Sequence, residues 1–136
     1  MIRHQDIDPK RVYIVGGSMG GYQGLRLFSD APDLFAAALI ACPAKLPSLE
    51  KLHRLKNKKI WLIHSALDEV VPIENSLNFL EQIYNEKFTQ EMFTLYDKVV
   101  VEEKVIDPHC VFLPLYDNQL TSGQNSIFEW LANQSL

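Results

Sequence analysis

A run of β-branched and aromatic residues from Arg11 to Val15 (RVYIV) stops at Gly16-Gly17-Ser18-Met19-Gly20-Gly21 and passes directly into helical spacing. No other feature constrains the fold as tightly. The first run reads as a strand ending in a tight turn. Met19, Tyr22, Leu25 and Phe28 then recur at helical intervals from about Ser18 to Ser29, and Gly21 and Gly24 permit close packing. Ala31-Pro32 ends the helix. A strand that becomes a helix through so short a turn puts Ser18 at the apex, beyond the carboxyl end of the strand.

The rest of the chain repeats the alternation. Phe35 to Cys42 (FAAALIAC) is a continuous apolar run of strand length, as expected of a strand covered on both faces. Pro43 and Pro47 mark a loop before a short polar helix around Ser48 to Leu55. Lys59 to His64 (KIWLIH) reads as a third strand. Pro72 and Glu74 open a helix expected to reach about Phe88, with Leu77, Leu80, Ile83 and Tyr84 on one stripe. A fourth strand is expected between Glu91 and Val105, where KVVVEEKVI fits one bent strand or two short ones. The closing helix is expected from Gln124 to Asn133, burying Ile127, Phe128, Trp130 and Leu131. Alternating strands and helices with short connections predict an α/β fold, a three-layer α/β/α arrangement around a mostly parallel sheet. The 136 residues suit a single domain spanning 1–136.

Composition removes several function classes. A net charge of -4 with no long basic run argues against nucleic-acid binding. The densest basic stretch, Lys51 to Lys59, reads as a solvated helix face or loop. Two cysteines, Cys42 and Cys110, are too few for a disulfide framework, and their spacing matches no metal-ligand pattern. Cys42 is expected to be buried, and Cys110 to line the site beside His109. No stretch approaches the roughly 20 apolar residues of a membrane span, and MIRHQDIDPK lacks a signal-peptide core. The expectation is a soluble, cytoplasmic chain with no membrane span, metal or organic cofactor.

Gly16-Gly17-Ser18-Met19-Gly20 is a G-x-S-x-G between a predicted strand and a predicted helix. A serine hydroxyl becomes a useful nucleophile when a sharp turn holds it out to a base, and such a turn crowds the backbone at flanking positions. Gly16 and Gly20 meet that need. The N–H of Met19, at the start of the helix, is a candidate donor to a developing oxyanion. The G-x-G-x-x-G template fails in every register, and Tyr22 stands where a phosphate-binding loop requires lysine.

A carboxylate and an imidazole complete the constellation. Asp68, on the loop after the third strand, lies at the sheet edge where Ser18 is expected; the plainer reading has it starting the next helix, although Glu74 and Asn75 are nearer. Among four histidines, His4 precedes the first strand, His53 lies in the polar helix and His64 reads as a buried structural residue. His109 alone follows the last predicted strand and is the candidate general base. Asp107 is a rival acid, disfavoured because two residues give it little reach to the far ring nitrogen. The order Ser18, Asp68, His109 is that of α/β-hydrolases.

These segments resemble the C-terminal half of an α/β-hydrolase, nearest to the serine esterase and prolyl-oligopeptidase-like branch. DPKRVYIVGGSMGGYQGLRLFSDAPDLFAAALIACPA is similar to that branch's elbow strand, helix and following strand. WLIHSALDEVVP resembles its acid loop, with Ser65 where glycine is usual. PHCVF and IFEWL resemble its histidine loop and last helix, with Pro108 where glycine is commoner. The resemblance covers most of residues 6 to 134. It implies a partial α/β-hydrolase fold lacking the N-terminal strands, cleaving small carboxylic esters through an acyl-enzyme intermediate, with peptidase and thioesterase chemistry also open. It further implies upstream strands and an often His-Gly-rich loop that supplies a second oxyanion N–H. RVYIV would then be an exposed apolar edge, and a homodimer or an additional N-terminal segment is expected. The alternative is an inactive hydrolase-like fragment serving as an interaction or structural module.

Overall fold

The computed structural model describes residues 7–83, 93–96, 99–101, 104–111, 121–122 and 125–136. Four strands, β1 (Tyr13–Gly17), β2 (Ala37–Ala41), β3 (Ile60–Ser65) and β4 (Phe93–Tyr96), form one sheet in the order β1-β2-β3-β4. Every pairing is parallel, with Gly17 opposite Ala41, Ala41 opposite Ile63 and Ser65 opposite Tyr96. Helices α1 (Met19–Asp30), α2 (Leu49–His53) and α3 (Glu74–Ile83) fill the crossovers. Right-handed crossovers that all step the same way across a sheet must lie on one face. A hairpin, β5 (Val99–Val101) with β6 (Lys104–Ile106), leads to a single 3₁₀ turn, Pro108–Val111. A second short hairpin, β7 (Thr121–Ser122) with β8 (Asn125–Ser126), precedes α4 (Ile127–Ala132).

The strand period of two explains why FAAALIAC shows no polar alternation. Ala38 and Ile40 of β2 pack with Ile14, Ile60 and Leu62 against Leu25 and Phe28 of α1, Leu52 of α2 and Phe79, Leu80 and Ile83 of α3. Ala37, Leu39 and Ala41 face the other way, into Trp61, Ile63, Val111 and Leu131. Both faces are therefore dry, and the three layers are α1–α3, the sheet, and α4 with the 3₁₀ turn. Each wholly buried Leu or Phe stabilises the fold by about 1.5–3 kcal/mol. On the second face Trp61 meets Trp130 edge-on, with ring centroids 5.2 Å apart, and its indole N–H donates to Thr94 Oγ1 at 2.7 Å.

Several sequence expectations need correction. Of the two readings of KVVVEEKVI, two short strands is the one found, although β5 and β6 pair with each other outside the main sheet; the fourth parallel strand, Phe93–Tyr96, lies in the expected region but ahead of them. Leu77 is exposed at 42%, and Phe79 takes the buried position instead. Met19 is likewise exposed, so only Leu25 and Phe28 of the expected α1 stripe are fully buried. The part of the expected third helix from Tyr84 to Phe88 lies outside the described residues, as do the side chains of Ile127 and Phe128. The helix expected from Gln124 begins at Ile127, because β8 occupies the preceding residues. β1 is an edge of the four-stranded sheet, yet its side chains are not an exposed apolar surface: Ile14 is buried, and Val12, Tyr13 and Val15 are half-buried.

The basic stretch is a solvated face, as expected. Lys51 pairs with Asp30, Arg54 with Glu50 and Lys58 with Asp33, at 2.6, 3.2 and 3.3 Å; exposed pairs of this kind contribute little stability. Among the described residues no helix is long and apolar enough to cross a membrane.

Candidate active site

Ser18 and Ser48 both cap helices, and they do so differently. Ser48 accepts the Lys51 N–H in its side chain, the usual capping bond. Ser18, ahead of α1, makes no side-chain cap bond, and its backbone sits at φ 56°, ψ -118°. That region is costly for a residue with a Cβ and persists only where surrounding bonds enforce it. Here the Ser18 N–H donates to Ala41 O at 3.0 Å, and its carbonyl accepts from Tyr22 N at 3.2 Å and Ala44 N at 3.0 Å. The side-chain amide of Asn75 in turn braces the Pro43 and Ala44 carbonyls, both at 3.0 Å. The main chain is thus fixed by its neighbours while the hydroxyl is left out of the helix cap.

The flanking glycines are not equivalent. A Cβ on Gly16 would lie 2.4 Å from the Gly20 carbonyl oxygen, so hydrogen is obligatory there. A Cβ on Gly20 would meet nothing within 4 Å. Gly20 is crowded through its backbone rather than its α-carbon, which corrects the expectation that both flanking positions need glycine for space. Gly17 closes β1 opposite Ala41. Met19 opens α1, with its side chain exposed and its N–H in the first helical turn.

Asp68 follows β3 with its side chain fully out of water. Its Oδ1 accepts the backbone N–H groups of Val70 and Val71, both at 2.9 Å. Its Oδ2 lies 3.0 Å from His109 Nδ1 and 3.3 Å from His64 Nε2. Burial pushes this carboxyl up, but the donated N–H groups of Val71, His109 and Val70 outweigh it and hold it below its ordinary value. His109 sits on the 3₁₀ turn, whose geometry is set by Asp107: its Oδ1 accepts the His109 backbone N–H and its carbonyl the Cys110 N–H, both at 2.9 Å. The rival acid therefore shapes the loop, and Asp68 meets the ring.

Cys42 joins the elbow to this loop. It ends β2 at φ 34°, lies against the Ser18 backbone and donates its thiol to the His109 carbonyl at 3.6 Å. Burial pushes the thiol up to about 12. The ligand atoms of Cys42, Asp68 and His109 lie within 4.8 Å of one another. The protonated thiol bonds the His109 backbone carbonyl, while the acid and the imidazole bond each other.

The sequence placed Ser18, Asp68 and His109 after three separate strands, and the fold brings their loops to the same end of the sheet. It did not foresee the parts of His64, Cys42 or Asn75. The interval from His64 to Asp68 across a strand end was the one available signal, since a short turn there can fold an acid back onto the last strand residue.

A family model described as the prolyl oligopeptidase family matches residues 1–47. Among solved structures, the crystal structure of a thermostable esterase is 34% identical, with a TM-score of 0.77; the match covers 100% of this chain and 34% of that one. The chain therefore spans about a third of the esterase's length. No curated protein matches. The parallel sheet, the family match and the esterase likeness together identify the chain as part of an α/β-hydrolase-like fold.

Proposed function

We propose that the chain carries the nucleophile, base and acid of a serine hydrolase acting on small carboxylic esters. The observation that carries this reading is the 3.0 Å contact between Asp68 Oδ2 and His109 Nδ1, because it fixes the ring's tautomer and leaves Nε2 as the nitrogen that exchanges protons. Ser18 Oγ attacks the acyl carbon as His109 Nε2 takes its proton. Asp68 stabilises the imidazolium without becoming protonated. The Met19 N–H, at the positive end of α1, donates to the oxyanion. Collapse expels the alcohol with the proton from His109, and water then hydrolyses the acyl-enzyme by the same base.

The likeness to an esterase supports ester substrates, and the prolyl oligopeptidase match over residues 1–47 favours a peptidase as the second reading. The mechanism calls for a second oxyanion N–H beside that of Met19. Absence of one such donor costs about 10²–10³ in rate.

The test is labelling of the purified chain with a fluorophosphonate probe, alongside Ser18→Ala and His109→Ala. Labelling that both substitutions abolish is expected. A folded wild type that does not label overturns the reading in favour of an inactive interaction module. Hydrolysis of nitrophenyl esters without cleavage of peptidyl anilides separates esterase from peptidase.

A further inference from the structure

Two of the buried polar side chains among the described residues, His64, which meets the proposed acid, and Ser76, which meets His64, have no role in the reaction as derived above. Both are wholly inaccessible to solvent. We propose that His64, held by Ser76, is a positioning residue that aims the Asp68 carboxylate at His109. The assignment rests on the reading of Asp68 and His109 as acid and base.

The geometry fixes the ring's protonation. His64 Nε2 faces two acceptors, Val71 O at 3.0 Å and Asp68 Oδ2 at 3.3 Å. A ring nitrogen that faces only acceptors carries the hydrogen. His64 Nδ1 lies 2.8 Å from Ser76 Oγ, a group able to donate. A neutral ring has one N–H, so the consistent arrangement is Ser76 O–H donating to Nδ1 and Nε2–H shared between the Val71 carbonyl and the carboxylate. Burial, the largest influence, disfavours the charged ring, and the contacts with Val71 and Asp68 oppose it only in part. The charged or titratable groups facing the ring are Asp68 and His109; Ser76 and the Val71 carbonyl are neutral.

The consequence falls on Asp68. Its Oδ1 is held by two backbone N–H groups, and its Oδ2 by His109 on one side and His64 on the other. Roughly four acceptor positions of a carboxylate are thereby filled, and the group cannot turn about its Cβ–Cγ bond without breaking contacts on both oxygens. Ser76 belongs to α3 and His64 to β3, so the orientation of the acid is tied to the packing of that helix on the sheet. In the other tautomer, a bare Nε2 would face both a carbonyl and a carboxylate and push Asp68 away from His109.

Histidine ¹⁵N–¹H spectroscopy of the intact chain at pH 7 tests the assignment, with His64→Leu and His64→Gln as variants. The amide of Gln returns an N–H near the place of Nε2. Expected are a neutral Nε2–H tautomer for His64 and a strongly deshielded Nδ1–H signal from His109. That His109 signal is lost in His64→Leu and retained in His64→Gln, and fluorophosphonate labelling of Ser18 slows by about 10–100-fold in the first and recovers in the second. A His64 that is charged or carries its proton on Nδ1 overturns the proposal, as does an unaltered His109 signal in folded His64→Leu. If His64→Leu does not fold, His64→Phe keeps a ring without the donor and is read in the same way. A wild type that shows both signals but never labels speaks for the His64 contact and against the hydrolase reading. Normal labelling of wild type and His64→Leu alike leaves the hydrolase standing and removes His64 from it.

Discussion

Asp68 Oδ2 and His109 Nδ1 lie 3.0 Å apart although 41 residues separate them in the chain. Neither residue belongs to a strand. Asp68 is delivered by the turn after β3, and His109 by a 3₁₀ turn packed over the same strand through Val111 and Ile63. Side chains on loops at the carboxyl edge of a parallel sheet converge because all the strands point the same way.

Replacing Asp68 by Asn puts an amide where the carboxylate accepts from His109. The expected loss in fluorophosphonate labelling rate is about 10³–10⁴-fold, the scale of a base held in the wrong tautomer, with the fold retained. Asp68→Ala should also melt earlier, by about 1–3 kcal/mol, because the Val70 and Val71 N–H groups lose their acceptor. An Asn variant that labels at the wild-type rate removes Asp68 from the mechanism.

The two glycines of the elbow make opposite predictions. Gly16→Ala forces a Cβ against the Gly20 backbone and should destabilise by about 1–3 kcal/mol and abolish labelling. Gly20→Ala meets open space and should melt within about 0.5 kcal/mol of wild type. Chemical denaturation of both proteins decides the matter; equal destabilisation would contradict the elbow packing.

Stability should fall as the solution is acidified below about pH 6.5. His64 is held below its ordinary value by burial, so the unfolded chain, whose histidine titrates near 6.5, binds the proton more readily than the native one. Stability is therefore full above that value and declines toward the folded one. Asp68, also held below its ordinary value, contributes stability above about pH 4 that disappears at lower pH. Melting temperatures between pH 7.5 and 5 should drop for wild type and change less for His64→Gln. Parallel curves would mean that His64 takes up its proton equally in the folded and unfolded states, contradicting its burial as a neutral ring.

The thiols should react in a fixed order. Cys42 is fully buried and pushed up to about 12, while Cys110 is half-buried, and the thiolate is the reactive form. One equivalent of a disulfide reagent, located on Cys110 by peptide mapping, is expected at neutral pH, with Cys42 reacting only on unfolding. Rapid modification of Cys42 in the native state would mean that the seam between elbow and His109 loop opens readily.

The elbow and the parallel order were legible because they rest on local rules: a strand run, a Gly-Ser-Gly turn and an apolar run too uniform for a half-exposed strand. Ser18, Asp68 and His109 could be chosen because each follows a strand. What the sequence concealed depends on which partner or face each element finds in the folded chain. VVV and KVI pair with each other rather than with the main sheet, and Leu77 faces out because Phe79 and Ile83 are the residues that meet the core. His64 was correctly read as buried and hydrogen-bonded, but its contact with Asp68 depends on the turn folding back onto the strand, which spacing alone does not determine.

The Tyr13 hydroxyl donates to Gln134 O at 2.6 Å, and the Leu136 N–H to Lys10 O at 2.9 Å. The start of β1 and the residues after α4 thus meet at the amino-terminal end of the sheet, the pole opposite Ser18 and Asp68. Closure at that pole leaves the carboxyl ends of β1 and β3, where Ser18 and Asp68 sit, clear of the bonds that fasten the residues after α4 to the edge strand.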